Sequence, residues 1–214
     1  MNETRLRRPR PPSTILFLAG LLCGCAAFGD AEERSRLVEV LGLRPGMHVA
    51  DVGAGDGDWA VFLAGQVGDG GRVWATEVDP EEIERIERKL AESGRRNAEV
   101  LLGDQQSTGL PASCCDAILL RMVYHHFTEP ETMRRALWDA LRPGGLVAVV
   151  ETDPMRGWRR LEGVPDRGGH GIEPGDLRRE MEGAGFELAE SIDPWPGGNG
   201  EPYCAVFRRP SAQR

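Results

Sequence analysis

The chain has 214 residues, a formal net charge of −8 at pH 7 and 40% hydrophobic residues. This length suffices for one α/β domain with a well-developed core and little else. The acidic balance, with arginines interleaved with acids between Glu81 and Arg96, argues against a nucleic-acid-binding surface. No internal apolar run approaches the ~18 residues of a membrane span.

The N-terminus has the pattern of a secretory signal. Four arginines between positions 5 and 10 precede an apolar run from Ile15 to Leu22, and small residues follow it. The last four residues of this pattern, 22–25, resemble a bacterial lipobox, in which Cys25 would be lipidated and become the mature N-terminus. We therefore predict a signal peptide at 1–25 and a single domain at 26–214. The alternatives are a wrongly assigned start of translation and a loose cytoplasmic tail.

Apolar periodicity and turn residues predict alternating strands and helices along the rest of the chain. Five β-then-α units and a final hairpin predict a doubly wound, Rossmann-like α/β fold. Its sheet would have seven mostly parallel strands and end in an antiparallel hairpin. Asp30 is expected to cap the first helix. The predicted helices are 31–41, the segment from the glycine turn to about 67, 80–93, 131–141 and one opening at 174; the predicted strands are 47–52, 72–78, 99–102, 116–122, 146–152, 186–192 and 203–208.

A glycine turn after the first predicted strand is the most informative segment. Its glycines stand at 53, 55 and 57, with Asp51 two positions before the first of them. A dinucleotide site would read G-x-G-x-x-G, whereas this turn reads G-x-G-x-G. A carboxylate at Asp51 would repel a pyrophosphate but suits the cationic end of a ligand. The segment closely resembles that of class I S-adenosylmethionine-dependent methyltransferases, and the resemblance covers about residues 31–209.

The resemblance implies S-adenosylmethionine as cofactor and assigns roles to the first two strand ends. Asp51 would accept from the methionine amino group, directly or through water. The turn at Gly53, Ala54 and Gly55 would pass under the methionine and ribose. Glu77 would accept both ribose hydroxyls, since its two oxygens match two adjacent donors.

Acids near the next strand ends leave alternatives open. Asp79 also follows the second strand, but it suits the cap of the next helix better than the ribose. By the resemblance, Asp104 would receive the adenine amino group and the backbone of Gln105 would reach the ring. A Gly103-Asp104 pair is also a common turn.

By the same resemblance, the end of the fourth predicted strand would border the position of the transferring methyl group. We assign Arg121 to the cofactor site. His125 or His126 would be a proton acceptor, because an unperturbed imidazole titrates near pH 6.5; a structural histidine pair is equally consistent. No third ligand stands nearby at metal spacing, so no metal is expected. The loop 153–172 is either a lid or a solvated loop.

The predicted function is methyl transfer by in-line displacement to an unidentified, small-molecule acceptor, with no obligatory base. A Pro-Pro-Tyr-type motif of nucleic-acid amino methyltransferases is missing at the fourth strand, which weighs against DNA as acceptor. The alternatives are a non-catalytic S-adenosylmethionine-binding or lipid-anchored module and, less favoured, a nicotinamide-dependent reductase. The sequence leaves two predictions for the location of the protein. The lipobox favours export, with Cys25 as the sole membrane anchor. The supply of S-adenosylmethionine favours the cytoplasm. Cys114, Cys115 and Cys204 are expected to be unpaired.

Overall fold

A computed structural model of the chain describes residues 22–157, 162–197 and 201–211, with side chains from Asp30 onward. The predicted signal peptide lies outside these residues, apart from the helical backbone of 22–25. The lipobox side chains, Cys25 included, are not among those described. Among the described helices none is both long and apolar enough to cross a bilayer.

The elements alternate as the sequence pattern predicts. A short 3₁₀ turn, Tyr124–His126, follows the fourth strand and was not predicted. The helices are α1 Leu22–Leu41, α2 Asp58–Val67, α3 Pro80–Glu92, α4 Pro130–Ala140 and α5 Pro174–Gly183; the strands are β1 His48–Val52, β2 Arg72–Glu77, β3 Ala98–Leu102, β4 Cys115–Arg121, β5 Leu141–Glu151, β6 Glu187–Ile192 and β7 Tyr203–Arg208.

The seven strands form one sheet in the order β3-β2-β1-β4-β5-β7-β6. β1 pairs in parallel with both β2 and β4, and β7 is antiparallel to its neighbours β5 and β6. The predicted doubly wound sheet and its terminal antiparallel hairpin are confirmed. The strand order reverses direction between β1 and β4, which is the point where open α/β sheets bind their ligands.

The core lies on both faces of this sheet, because parallel strands are covered by helices on each side. One face packs against α1 and α2 through residues such as Leu37 and Leu63. The other packs against α4 and α5 through residues such as Leu137 and Leu177. Cys114, Cys115 and Cys204 are buried free thiols, as expected.

Two boundaries differ from the prediction by more than one residue. Because α1 already begins at Leu22, Asp30 lies within the helix and does not cap it. β5 begins at Leu141, although the sequence predicted a helix up to 141 and a strand only from 146. Its pairing with β4 jumps from Cys115↔Leu141 to Ala117↔Leu146, so the Pro-Gly-Gly segment forms a bulge at the start of the strand.

A buried carboxylate holds α1 against the carboxyl edge of the sheet. Glu33 is 1% exposed. Arg121, at the end of β4, donates from Nε and Nη2 to its two oxygens at 2.8 and 3.0 Å. Trp195, in the loop before β7, donates from Nε1 at 3.0 Å. Three distant segments therefore meet at one bidentate ion pair.

We predict that Glu33→Gln lowers the free energy of unfolding by about 1.5–3 kcal/mol, because the bonds from Arg121 and Trp195 lose their charged acceptor. Glu39→Gln is the matched control, since Glu39 lies on the same helix, pairs with Arg36 and is 64% exposed; exposed pairs of this kind contribute about 0–1 kcal/mol. Urea unfolding followed by circular dichroism measures both variants. Equal losses in the two would contradict the anchoring role of Glu33.

Candidate functional site

A cavity of about 460 Å³ opens at the carboxyl edge of the sheet beside β1. Its volume lies within the range of small-molecule sites, about 300–1,000 Å³. The walls come from the ends of β1, β2, β3 and β4 and from the residues after them. They include Val52, Gly53, Gly55, Thr76, Glu77, Val78, Gly103, Asp104, Gln105, Thr108, Arg121, Met122, Val123, His126, Phe127, Thr128 and Met133.

The turn between β1 and α2 depends on glycine at two positions for different reasons. Gly53 has φ +73°, and a Cβ there would lie 2.4 Å from a methyl of Val123. Gly55 has φ +54° with open space around it, on the wall of the cavity. The backbone N–H groups of Gly53 and Ala54 both donate to the carbonyl of Thr76, which ties the turn to β2. The turn is thus held close to the strand while Gly55 leaves room for a ligand.

Asp51 carries a buried carboxylate whose environment suits a cationic ligand. The residue is 2% exposed. Within the described part of the chain, its Oδ2 has no hydrogen-bond partner. Burial and then the charge of Glu77 raise the pKa of Asp51 to about 7, and the charge of Arg121 opposes this rise. An unpartnered buried carboxylate is costly, and an ammonium group beside it would offset that cost.

Glu77 lies at the end of β2 and is fixed by backbone donors. Its Oε2 accepts from the N–H of Gly55 at 3.0 Å and its Oε1 from the N–H of Val78 at 2.7 Å. Each carboxylate oxygen retains capacity for a further hydrogen bond. Asp79 instead accepts from the N–H of Glu81 at 2.9 Å and caps α3, as the sequence predicted.

Asp104 and Gln105 both line the cavity after β3. Asp104 Oδ1 accepts from the N–H groups of Gln106 and Ser107, each at 2.7 Å. The two alternatives left open by the sequence are thus compatible, because Asp104 forms a local turn and also lies on the cavity wall.

Two predicted cofactor residues have other contacts. Arg121 lines the cavity, but its guanidinium is paired with Glu33. Burial lowers the pKa of Arg121, but the hydrogen bonds that it donates to Glu33 and the nearby negative charges, that of Glu33 first, together raise this pKa above its ordinary value. The side chain of Ala54 packs in the core beside Ala75 and Ile86, so its contribution to a ligand would come from its backbone.

Met122, which follows β4, was not predicted as part of the site. It lines the cavity and has φ +56°, a left-handed conformation that non-glycine residues rarely adopt. Its N–H donates to the carbonyl of Val150 at 2.8 Å. Such strain is found preferentially at ligand sites. A methionine gives no signal of this conformation in the sequence.

The histidine pair lies beside the cavity and meets a third histidine. His126 lines the cavity; His125 is 3% exposed and is absent from its walls. Nε2 of His170 lies 3.2 Å from Nε2 of His125 and 3.1 Å from Nε2 of His126. The expectation that no third ligand stands near the pair is therefore wrong. His170 is remote in sequence, and the loop after β5 folds back onto the 3₁₀ turn.

Burial and then the charges of the other two histidines lower the pKa of His126 to about 4. Burial also lowers the pKa of His170, followed by the charge of His125. His126 is therefore neutral at physiological pH. An accessible neutral imidazole can accept a proton or bind a metal ion through its free lone pair.

The loop predicted as a lid or a solvated segment is partly described, at 153–157 and 162–172. Residues 158–161 lie outside the described residues. Met155 and His170 form an isolated antiparallel bridge across the loop. Arg167 donates to both oxygens of Glu180 on α5, so this arginine is engaged within the fold.

Comparison with known proteins agrees with this geometry. Residues 49–145 match the family model described as "Methyltransferase domain". A protein-L-isoaspartate O-methyltransferase from Pyrococcus horikoshii is 33% identical over 125 residues, which are 58% of this chain and 53% of the relative. A demethylmenaquinone methyltransferase from Listeria monocytogenes is 22% identical over 130 residues, 60% of this chain and 55% of the relative. The matches thus span about half the length of these curated relatives.

A solved structure of an S-adenosylmethionine-dependent methyltransferase from Aquifex aeolicus superposes with a TM-score of 0.68. The identity is 23%, and the match covers 82% of this chain and 89% of that one. This likeness shows the fold. The family match at 49–145 spans less than half of the chain, and the matched family implies S-adenosylmethionine as the cofactor.

We predict that Asp51→Asn changes how stability depends on pH. The folded pKa of Asp51 lies above the ordinary value of 3.8, at about 7, so the native carboxyl retains its proton in this window after the unfolded chain has lost it. The free energy of unfolding of the wild type therefore falls as pH rises from about 4 to 7, by up to about 1.4 kcal/mol per pH unit. The asparagine variant lacks this loss, so its unfolding free energy relative to wild type should rise across the window and level off above pH 7.

Chemical unfolding of the ligand-free chain at several pH values measures this difference. Asp69→Asn, on the opposite edge of the sheet in an exposed turn, is the matched control and should follow the wild-type curve. A constant offset between Asp51→Asn and wild type over the whole range would contradict the raised pKa.

Proposed function

We propose that the chain transfers the methyl group of S-adenosylmethionine to a small-molecule acceptor by in-line displacement. The observation that carries this proposal is the buried carboxylate of Asp51, which lacks a partner in the described residues and adjoins a glycine turn. Its position at the reversal of strand order is where a doubly wound sheet binds its ligand.

The residues present fit this cofactor. Asp51 would accept from the methionine ammonium group, and the backbone at Gly53 to Gly55 would lie under the ligand. Glu77 would accept from the ribose hydroxyls with the hydrogen-bonding capacity that its backbone donors leave. Asp104 and Gln105 would contact the adenine. The cofactor supplies an electrophilic methyl group on a positively charged sulfur.

The protein's own part in the reaction is binding, orientation and exclusion of water. An acceptor atom must stand about 3 Å from the methyl group, in line with the departing sulfur. The wall formed by Met122, Val123, Phe127 and Met133 is apolar and favours a partly apolar acceptor at that end. Such a transfer needs no obligatory base, and His126 is the residue of the predicted pair that reaches the cavity.

The nicotinamide-dependent reductase remains the weaker alternative for an electrostatic reason. A pyrophosphate on this turn would need the N–H groups that open α2. Asp56 already accepts from the N–H of Asp58 at 3.1 Å, and Asp51 would add a buried carboxylate close to the phosphates, whereas Asp56 and Asp58 are both paired with Lys89. A non-catalytic S-adenosylmethionine-binding module retains the same cavity, and a methyl-transfer assay separates it from the enzyme.

The lipid anchor at Cys25, the boundaries at 1–25 and 26–214 and an exported location stay predictions. The residues that would carry the anchor lie outside the described side chains.

We predict that the full chain binds S-adenosylhomocysteine and that this binding weakens as pH falls below about 7. Below that pH, Asp51 must give up a proton before it can pair with an ammonium group, which weakens affinity by up to tenfold per unit. Asp51→Asn should lower affinity and remove this pH dependence. Glu77→Gln should cost about 1.5–3 kcal/mol of binding, roughly tenfold to a hundredfold. It should keep a pH dependence that is displaced to lower pH, because the charge of Glu77 contributes to the raised pKa of Asp51. Calorimetry measures all three proteins.

Asp69→Asn again serves as the control and should bind like wild type. Unchanged affinity in both Asp51→Asn and Glu77→Gln, with folding intact by circular dichroism, would remove the cofactor assignment.

We predict that Gly55→Val abolishes S-adenosylhomocysteine binding, because the side chain would enter the open space from the cavity wall. Gly42→Val is the matched control. Gly42 has φ +58° and open space around it, so valine meets the same backbone strain there, and Gly42 lies outside the cavity walls. Both variants should lose similar stability in a thermal melt, while only Gly55→Val loses binding. Equal binding by the two would show that the turn does not hold the ligand.

A further inference from the structure

We propose that His125, His126 and His170 bind one divalent transition-metal ion beside the cavity, with a coordination position left open for a further ligand. Among the described residues, these three side chains form a group whose ligand atoms all lie within 4.8 Å of one another. Metal binding here goes beyond the proposed function, because methyl transfer from a sulfonium requires no metal, and it does not depend on that function being correct.

The separations between ring nitrogens match shared coordination. Zinc–nitrogen bonds are about 2.0–2.1 Å, so two tetrahedral nitrogen ligands stand about 3.3 Å apart. His170 Nε2 lies 3.2 Å from one partner and 3.1 Å from the other. The rings meet at steep interplanar angles of 60–75°, which lets their nitrogens converge on one point.

Hydrogen bonding alone accounts poorly for this convergence. An imidazole nitrogen has either one proton or one in-plane lone pair. His170 Nε2 therefore cannot donate to one neighbour and accept from the other. Without a metal ion, one of the two short contacts of His170 Nε2 is therefore a shared or poorly aligned hydrogen bond. A cation between the three rings would instead accept one lone pair from each of them.

Glu151 supports His125 in the manner of a metal ligand. The carboxylate is fully buried at the end of β5. Its Oε2 lies 2.6 Å from His125 Nδ1, and its Oε1 accepts from the His125 backbone N–H at 3.2 Å. A proton on Nδ1 shared with this carboxylate leaves the lone pair on Nε2, the nitrogen that faces His170. Histidines that bind metals usually donate their other ring N–H to a carboxylate or carbonyl group.

The backbone around His170 is fixed by close packing against the end of β5. His170 and Met155 exchange two backbone hydrogen bonds, at 3.0 and 3.2 Å. A Cβ on Gly169 would lie 2.7 Å from the Met155 carbonyl, and one on Gly171 would lie 2.5 Å from the Thr152 carbonyl. The flanking glycines thus permit the approach that brings His170 to the other two rings.

The ligand set indicates the class of ion. Imidazole nitrogen suits zinc, copper, iron and nickel, whereas magnesium and calcium prefer oxygen. Three protein ligands and an open position are typical of catalytic zinc sites, in contrast to closed structural sites. Because His126 also lines the cavity, a molecule bound at the open position would lie at the cavity edge.

Zinc titration by calorimetry tests the site in the full chain, purified without a histidine tag and stripped with chelator. We expect one equivalent to bind, and His126→Ala and His170→Ala each to weaken that binding at least tenfold. His48→Ala is the matched control, since His48 is the remaining histidine of the chain and lies at the start of β1. It should bind zinc like wild type. His126 and His170 reach the surface, so their variants are expected to fold, and thermal melts check this.

A variant without the two N-terminal cysteines tests whether thiols bind the zinc. Cys23→Ser/Cys25→Ser should keep the zinc equivalent, and the cobalt complex should show visible d–d bands without the intense thiolate charge-transfer band. Failure of wild type to bind zinc, unchanged binding in both histidine variants, or loss of binding in the cysteine background would each overturn the proposal. Wild type that binds S-adenosylhomocysteine but no zinc refutes only the metal site; zinc binding without S-adenosylhomocysteine binding refutes only the proposed function.

Discussion

The parallel register of β1 between β2 and β4 is the constraint on which the site depends. Asp51 pairs with Ala75 on one side and Leu119 on the other, so the three strands end at nearly the same level. Side chains from distant parts of the chain therefore reach one edge of the sheet. The cavity and the Asp51 carboxylate are consequences of that alignment, because they are built from residues at the strand ends or just beyond them. His125 and His126 also follow β4 closely, and His170 joins them from the loop after β5.

The sequence predicted what local chemistry determines. Strand periodicity and turn residues located every strand of the sheet, and the spacing of Gly53 and Gly55 after an apolar run located the cavity. The preference of Asp79 for the cap of α3 followed from its place before Pro80. These features are readable because the residue type and the backbone conformation specify each other over a few positions.

Long-range contacts were beyond this reasoning. The partner of Arg121 is Glu33, 88 residues away, and His170 lies 44 residues from His126. The residues around these positions in the sequence do not indicate either contact, because both contacts arise from how a helix and a loop pack over the edge of the sheet. The sequence also gives no indication of the left-handed backbone conformation of Met122, because methionine has no preference for it. The sequence spacing therefore predicted no metal site at the histidine pair, whereas the fold brings a third ring nitrogen, from His170, next to it.

The buried carboxylates of Asp51 and Glu151 lie in opposite kinds of environment. Asp51 Oδ2 has no partner within the described residues, and burial raises the free energy of its charged form. Glu151 is buried as completely but is matched by a ring nitrogen and a backbone N–H of His125. The first arrangement leaves a stabilising contact for a cationic ligand to provide. The second fixes a ring and leaves its other nitrogen as the reactive atom, so one carboxylate serves binding and the other serves orientation.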